Sequence, residues 1–242
     1  MSDLAPLIEI EGLAKSFTLH LRGGLVLPVV TGVSFAVRPG ECVALGGPSG
    51  IGKSSILKAV FGNYAVDQGR IWIRDGGTRV DLASAEPRAV IALRRRVIGY
   101  VSQFLRVIPR VSARDVVAAA ARENSAPEDE ALATAERLLA RLNLPERLWS
   151  LPPSTFSGGE QQRVNIARGL AGRHSILLLD EPTASLDAKN SAAVVALIEE
   201  RKRAGAAILG IFHDAPVRDE LADRLVDISA FAVGRKPAEV AA

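Results

Sequence analysis

GPSGIGKS, Gly47 to Ser54, follows the apolar run Cys42 to Leu45 and opens the helical pattern KSSILKAVFG. It fits G-x-x-x-x-G-K-[ST], and a strand, a glycine-rich loop and a helix start in that order are the setting that gives the pattern a physical meaning. An oligophosphate needs several backbone N–H groups turned inward on it. Glycines at 47, 50 and 52 let the chain wrap such an anion, with Pro48, Ser49 and Ile51 between them, and the next helix offers its positive N-terminus. Lys53 then reaches the outer phosphates, the Ser54 hydroxyl ligates Mg²⁺, and Ser55 adds a donor. A plain glycine-rich turn into a helix is the alternative, and the strand that precedes the loop argues against it.

On either side of this loop, short apolar runs alternate with longer amphipathic stretches. Cys42 to Leu45, Ile98 to Val101, Ile176 to Leu179 and Ile208 to Phe212 read as strands of a parallel sheet covered by helices. Leu7 to Ile10, Val33 to Val37 and Ile71 to Ile73, bounded by Gly, Pro and Asp, predict antiparallel strands at one edge. From Ser112 to about Pro153 the spacing is helical with no strand candidate, which predicts a helical subdomain inserted between two strands, residues 110–172 approximately. The 242 residues therefore read as one α/β domain: a mixed sheet core, an antiparallel edge subdomain and an inserted helical subdomain.

Hydrophobic residues at 48% and charged residues at 24% fit a folded core and exclude a disordered chain, and a formal net charge of +3 is too small to argue for nucleic acid. MSDLAPLIEIEG carries acids where an export signal needs bases, so none is expected. No apolar run reaches the ~18 residues that span a bilayer; the longest, Gly23 to Val37, is interrupted by Pro28, Thr31, Gly32 and Ser34. The single cysteine, Cys42, excludes an intrachain disulfide, fits a reducing cytoplasmic location, and reads as a small buried hydrophobe.

SILLLDEP, Ser175 to Pro182, ends a parallel-strand candidate in two acids, and ligands of such sheets bind at the carboxyl ends of the strands. Asp180 is placed to hold Mg²⁺. Glu181 is placed to orient or deprotonate the attacking water, a general-base role worth about 10² to 10⁴ in rate. In TFSGGEQQRVNIARGLAG, Thr155 to Gly172, Ser157 and Glu160 have the spacing of a capping box. Gly158 and Gly159 in the first turn cost a helix about 1 kcal/mol each, which close approach to an anion would justify. A chain with two phosphate-binding helix starts has one more than a single nucleotide needs.

GPSGIGKS, Gln103, FSGGEQQR, ILLLDE, TASLD (Thr183 to Asp187) and His213 occur in the order and roughly the spacing of the ATP-binding-cassette ATPases, a resemblance covering essentially the whole chain. It implies the cassette form of the P-loop NTPase fold and Mg²⁺-dependent ATP hydrolysis. It also implies head-to-tail pairing with a second cassette, self or sister. Each ATP then lies between one copy's Gly47 to Ser55 and the other's signature Ser157, Gly158, Gly159 and Glu160. By the same resemblance Gln103 contacts Mg²⁺ and the lytic water, His213 contacts the γ-phosphate, Ser185 and Asp187 lie in the loop crossing the dimer interface, and Phe17 in LAKSFTL stacks on adenine. The signature reads FSGGE where the common form is LSGGQ, and Glu160 still suits the capping box.

Between Arg94 and Arg114 the chain has arginines at 94, 95, 96, 106, 110 and 114 and no acid. With Phe104, Ile108 and Pro109 among them, this reads as a docking surface for an acidic protein partner. A nucleic-acid partner has this run alone in its favour. SQFLRVIPR, PERLWSLPPSTFSGGEQQRVNIARG and DEPTASLDAKNSAAVVALI resemble the cassette subunits of bacterial carbon–phosphorus lyase systems. That resemblance implies soluble lyase subunits as partners and a place in phosphonate catabolism. There the chain would support a ribose 1-methylphosphonate 5-triphosphate synthase that forms ribose 1-phosphonate 5-triphosphate from ATP and phosphonate. The family majority implies the alternative, an ATP-binding subunit of a membrane transporter.

Overall fold

The computed structural model describes residues 4–19, 21, 23–105, 109–124 and 126–233. With elements numbered in chain order, β1 (Ile8–Leu19), β2 (Leu25–Val37), β4 (Gln68–Asp75) and β5 (Thr78–Asp81) form an antiparallel sheet of order β2-β1-β4-β5. A second sheet, parallel throughout, has the order β6-β7-β8-β3-β9 and is built from β3 (Cys42–Gly46), β6 (Ile98–Val101), β7 (Ile176–Asp180), β8 (Ala207–Ile211) and β9 (Arg224–Asp227). The helices are α1 (Lys53–Val60), α2 (Pro87–Arg96), α3 (Ala113–Glu123), α4 (Glu128–Arg141), α5 (Gly158–Leu170), α6 (Ala188–Arg203) and α7 (Ala215–Leu221).

The parallel strands read as unbroken apolar runs because both of their faces are covered. Leu177 and Leu179 pack with residues of α3 to α6, while Ile176 and Leu178 pack with α1 and the antiparallel sheet. Cys42 and Ala44 of β3 face the first layer, Val43 and Leu45 the second. Cys42 is fully buried and burial pushes its thiol up to about 12, so it packs as an inert hydrophobe.

The antiparallel sheet buries one face. Ile8, Ile10, Ile71 and Ile73 are inside, whereas Glu9, Glu11 and Trp72 alternate outward. β1 and β2 are longer than their apolar cores predict. The pairing continues through register shifts between Ile10 and Lys15, where Gly12 has φ +61°, and these bulges hide the period-two signal. β5 (TRVD) and β9 (RLVD) have no apolar run to announce them, each being a short, partly exposed edge strand.

Helices α3, α4 and α5 lie between β6 and β7. Ser112 caps α3 by accepting from the Asp115 N–H at 3.1 Å. α5 presses directly on β6: a Cβ added at Gly169 would fall inside the Val101 side chain, and one at Gly99 would lie 3.1 Å from the Gly169 carbonyl oxygen. Much of the arginine run is used internally. Arg94 donates to the Phe61 carbonyl at 2.7 Å and to Asn63 Oδ1 at 3.0 Å, Arg96 pairs with Asp75 at 2.6 Å, and Arg114 pairs with Glu136 at 3.2 Å. Arg110 and Phe104 remain exposed, whereas Arg106 and Ile108 lie outside the described residues. Among the described residues no helix is long and apolar enough to cross a membrane.

Gly169→Ala gains about 1 kcal/mol of helix propensity yet must overpack the β6 contact at about 1–3 kcal/mol. Calorimetry should therefore show a lowered Tm, by about 2–4 °C per net kcal/mol for a chain of this size. A raised Tm would mean that α5 can lift from β6 freely.

Candidate functional site

Four neighbouring strands of the parallel sheet deliver the candidate residues to one edge. β6 leads to Gln103, β7 ends in Asp180 and Glu181, β8 leads to His213, and β3 leads into Gly47 to Ser54. This is the carboxyl edge, where loops leave a parallel sheet and ligands bind.

The loop after β3 is shaped by left-handed glycines: Gly47 at φ +114°, Gly50 at +76° and Gly52 at +111°. Gly52 is constrained twice, since a Cβ there would also sit 2.6 Å from Val29 Cγ1. It is the N-cap of α1 and no side chain caps that helix start, so the first-turn N–H groups are left for an anion. Lys53 Nζ donates to the carbonyls of Gly47 (2.6 Å) and Pro48 (2.9 Å), which holds the ammonium across the loop.

Ser54 Oγ donates to Asp180 Oδ1 at 3.1 Å, and Tyr100 Oη donates to Asp180 Oδ2 at 3.2 Å. Asp180 is buried, and burial pushes its carboxyl above the ordinary 3.8. The neighbouring Glu181 acts in the same direction, while the Ser54 and Tyr100 hydrogen bonds and the Lys58 charge oppose it. Two hard oxygen donors at the start of a phosphate-binding helix fit Mg²⁺, which takes one or two protein oxygens and completes its shell from phosphate and water.

Glu181 has φ +54°, a left-handed conformation that costs a non-glycine residue roughly 1–2 kcal/mol. Its N–H donates to the Ile211 carbonyl at 3.0 Å, so the end of β8 holds the turn. Its carboxylate accepts from Gln103 Nε2 at 3.1 Å and lies 2.8 Å from His213 Nε2. Three adjacent strand ends thus meet on one carboxylate.

The capping box at the start of α5 forms: Ser157 Oγ accepts from the Glu160 N–H at 3.4 Å, and Glu160 Oε2 accepts from the Ser157 N–H at 2.8 Å and from its hydroxyl at 2.7 Å. Those bonds hold the Glu160 carboxyl below its ordinary value. Gly158 faces open space, and a Cβ at Gly159 would lie 3.1 Å from the Ser185 carbonyl oxygen. Asp187 caps α6 by accepting from the Asn190 N–H at 2.8 Å. Phe17 stands edge-on to Tyr64, ring centres 5.3 Å apart, with Lys15 Nζ 5.0 Å from its own centre. α5 packs on β6, and β7 and β8 separate β6 from β3, the strand that leads into the phosphate loop. Tyr100 and the buried Gln162, Asn165 and Thr183 also border the site. The sequence signal for Gln162 and Asn165 is polarity on an otherwise apolar helix face.

The model of the ABC transporter family matches residues 30–184. This chain belongs to that family. It is an ABC ATPase, and it binds ATP with Mg²⁺. Among curated relatives, a lipoprotein-releasing system ATP-binding protein LolD of Maricaulis maris is 41% identical over 235 residues, covering 97% of this chain and 96% of the relative. A macrolide export ATP-binding/permease protein MacB of Marinobacter nauticus is 38% identical over 212 residues, covering 88% of this chain but only 32% of the relative. The cassette therefore spans about a third of the macrolide-export protein. Among solved structures, the dimeric post-hydrolysis state of the ATP-binding cassette MJ0796 bound to ADP and Pi superposes with a TM-score of 0.82 at 26% identity, covering 91% of this chain and 93% of that one.

These relatives correct one expectation. The resemblance to carbon–phosphorus lyase cassettes does not identify the chain, because the relatives that match nearly all of it are transporter ATP-binding proteins. Soluble lyase subunits as partners and a role in phosphonate catabolism fall with it. The stretches that carried that resemblance run through the loop after β6, the segment leading into α5 and α5 itself, and from the end of β7 into α6.

Because Asp180 is raised in the fold, its ionised form is penalised at every pH above the folded value, and the penalty disappears as pH falls through that value toward 3.8. Asp180→Asn should therefore raise the Tm of the nucleotide-free protein at neutral pH, and the gain should shrink as the pH is lowered. Thermal melts from pH 7 to pH 4 check this, and a gain independent of pH would contradict it.

Proposed function

We propose that this chain is the ATP-binding subunit of an ABC membrane transporter, working at the cytoplasmic face as one of a head-to-tail pair of cassettes. The observation that carries the reading is the likeness, over nearly its whole length, to a lipoprotein-releasing ATP-binding protein. The site geometry favours hydrolysis: a carboxylate held by Gln103 and His213 stands beside a phosphate loop. Pairing is supported by the separation of α1, which follows β3, from α5, which packs on β6 with β7 and β8 between the two strands, and by the dimeric state of the MJ0796 cassette.

In this reading the loop from Gly47 to Ser55 wraps the ATP phosphates and Lys53 turns to the outer ones. Ser54 and Asp180 hold Mg²⁺, with Gln103 within reach, and the ion neutralises charge on the phosphates. Glu181 aligns the attacking water and takes its proton; Gln103 and His213 fix the direction of that carboxylate, and His213 also reaches the γ-phosphate. Phe17 stacks on adenine. The partner copy contributes Ser157, Gly158, Gly159 and Glu160, where the absence of a side chain at Gly158 lets backbone N–H groups approach phosphate. Ser185 and Asp187 lie across the interface. The whole chain is a single domain whose inserted helical part, residues 110–172 approximately, carries the signature. Exposed Phe104 and Arg110, beyond Gln103, face the permease.

Glu181→Gln should keep ATP affinity while lowering turnover at least a hundredfold, within the span of a general-base contribution. It should also accumulate a dimer in ATP and Mg²⁺, read by light scattering; a persistent monomer would contradict pairing. Tagged protein should be recovered from membranes with a permease, and Phe104→Glu should abolish that recovery with ATP binding intact. Recovery with soluble proteins alone would overturn the transporter reading.

A further inference from the structure

Among the described residues, the buried polar or charged ones are Gln162, Asn165, Asp180 and Thr183. Asp180 belongs to the ATP site, and two of the others lie on one face of α5. Gln162 Nε2 donates to the Pro182 carbonyl at 3.1 Å, the residue after Glu181. Asn165 Nδ2 donates to the Ser102 carbonyl at 2.6 Å, the residue before Gln103, and lies 3.4 Å from Gln162 Oε1.

A buried amide whose donor goes unmet costs about 1–3 kcal/mol, and apolar side chains of similar shape would pack without that exposure to loss. Both amides are committed to main-chain carbonyls, so what they fix is the position of the backbone next to Gln103 and next to Glu181. Gln162 lies five residues beyond the N-cap Ser157, about 7.5 Å along a rigid helix. Gly169 and Gly99 let that same helix press on the root of the Gln103 loop.

We infer that Gln162 and Asn165 are positioning residues that tie the helix start contacting one ATP to the two loops that hydrolyse the other. The inference rests on the paired-cassette reading. When the start of α5 shifts on meeting the partner's nucleotide, the carbonyls of Ser102 and Pro182 move with it. The Gln103 to Glu181 contact, 3.1 Å here, is then set by occupancy of the opposite site, and hydrolysis becomes cooperative.

Gln162→Met and Asn165→Leu keep side-chain bulk and remove the donors. In each, the turnover number should fall about tenfold to a hundredfold, the scale of a ~1 Å misplacement, and the Hill coefficient for ATP should drop to one. In the Glu181→Gln background, affinity for a fluorescent ATP analogue and ATP-driven dimer formation should both persist. Folded variants with the parental Hill coefficient overturn the relay alone, whereas Glu181→Gln that never dimerises removes the pairing and the relay with it. A second measurement needs neither α5 variant: hydrogen exchange at the Gln103 and Thr183 amides of Glu181→Gln should slow when ATP and Mg²⁺ close the pair. Unchanged exchange in a closed pair overturns the inference.

Discussion

The charge of an oligophosphate must be met by N–H groups and an ammonium, and this chain presents them where a doubly covered parallel sheet ends. Strands buried on both faces admit almost nothing polar along their length, so the polar chemistry of β3, β6, β7 and β8 is driven to their carboxyl ends. The loop from Gly47, the carboxylates of Asp180 and Glu181, the amide of Gln103 and the ring of His213 are consequences of that one placement. The antiparallel sheet and the helices between β6 and β7 extend the same arrangement, one beside α1 and the other as the carrier of a second phosphate-type helix start.

Several of the costs in the fold gather at this edge. Glu181 is held in a left-handed turn, Asp180 is an ionisable group kept from water, and Gly52 leaves no room for a side chain. Each is tolerated because a neighbour over-determines it: the Ile211 carbonyl holds the Glu181 turn, and Ser54 with Tyr100 satisfies Asp180. Strain and burial of this kind lower stability while fixing the direction of the candidate catalytic groups in advance.

Much of this is readable from residues alone where chemistry and spacing coincide. GPSGIGKS after an apolar strand, ILLLDE at a strand end and Ser157 with Glu160 each state a local structure and a reason for it. Other parts are set by long-range contacts with no local signal. Ser102 and Pro182 are unremarkable in sequence, yet their carbonyls lie beneath Asn165 and Gln162, 63 and 20 residues away. The arginine run shows a similar limit: it reads as a docking surface for an acidic partner, and nothing local announces that Arg94 donates to Phe61 and Asn63 or that the exposed Arg96 pairs with Asp75. The β1–β2 pairing outruns its apolar cores because bulges near Gly12 break the alternation that sequence patterning relies on. Similarity in the stretches that carried the lyase resemblance likewise could not choose a partner, since a fold shared across a family is compatible with many partners.

The most direct measurement is a structure of the protein with a non-hydrolysable ATP analogue and Mg²⁺. The expected result is two copies related head to tail, each analogue touched by Gly47 to Ser55 of one copy and by Ser157 to Glu160 of the other, with the Asn165 and Gln162 bonds to Ser102 and Pro182 retained. An analogue enclosed by a single copy, with the start of α5 turned away from any phosphate, would contradict it.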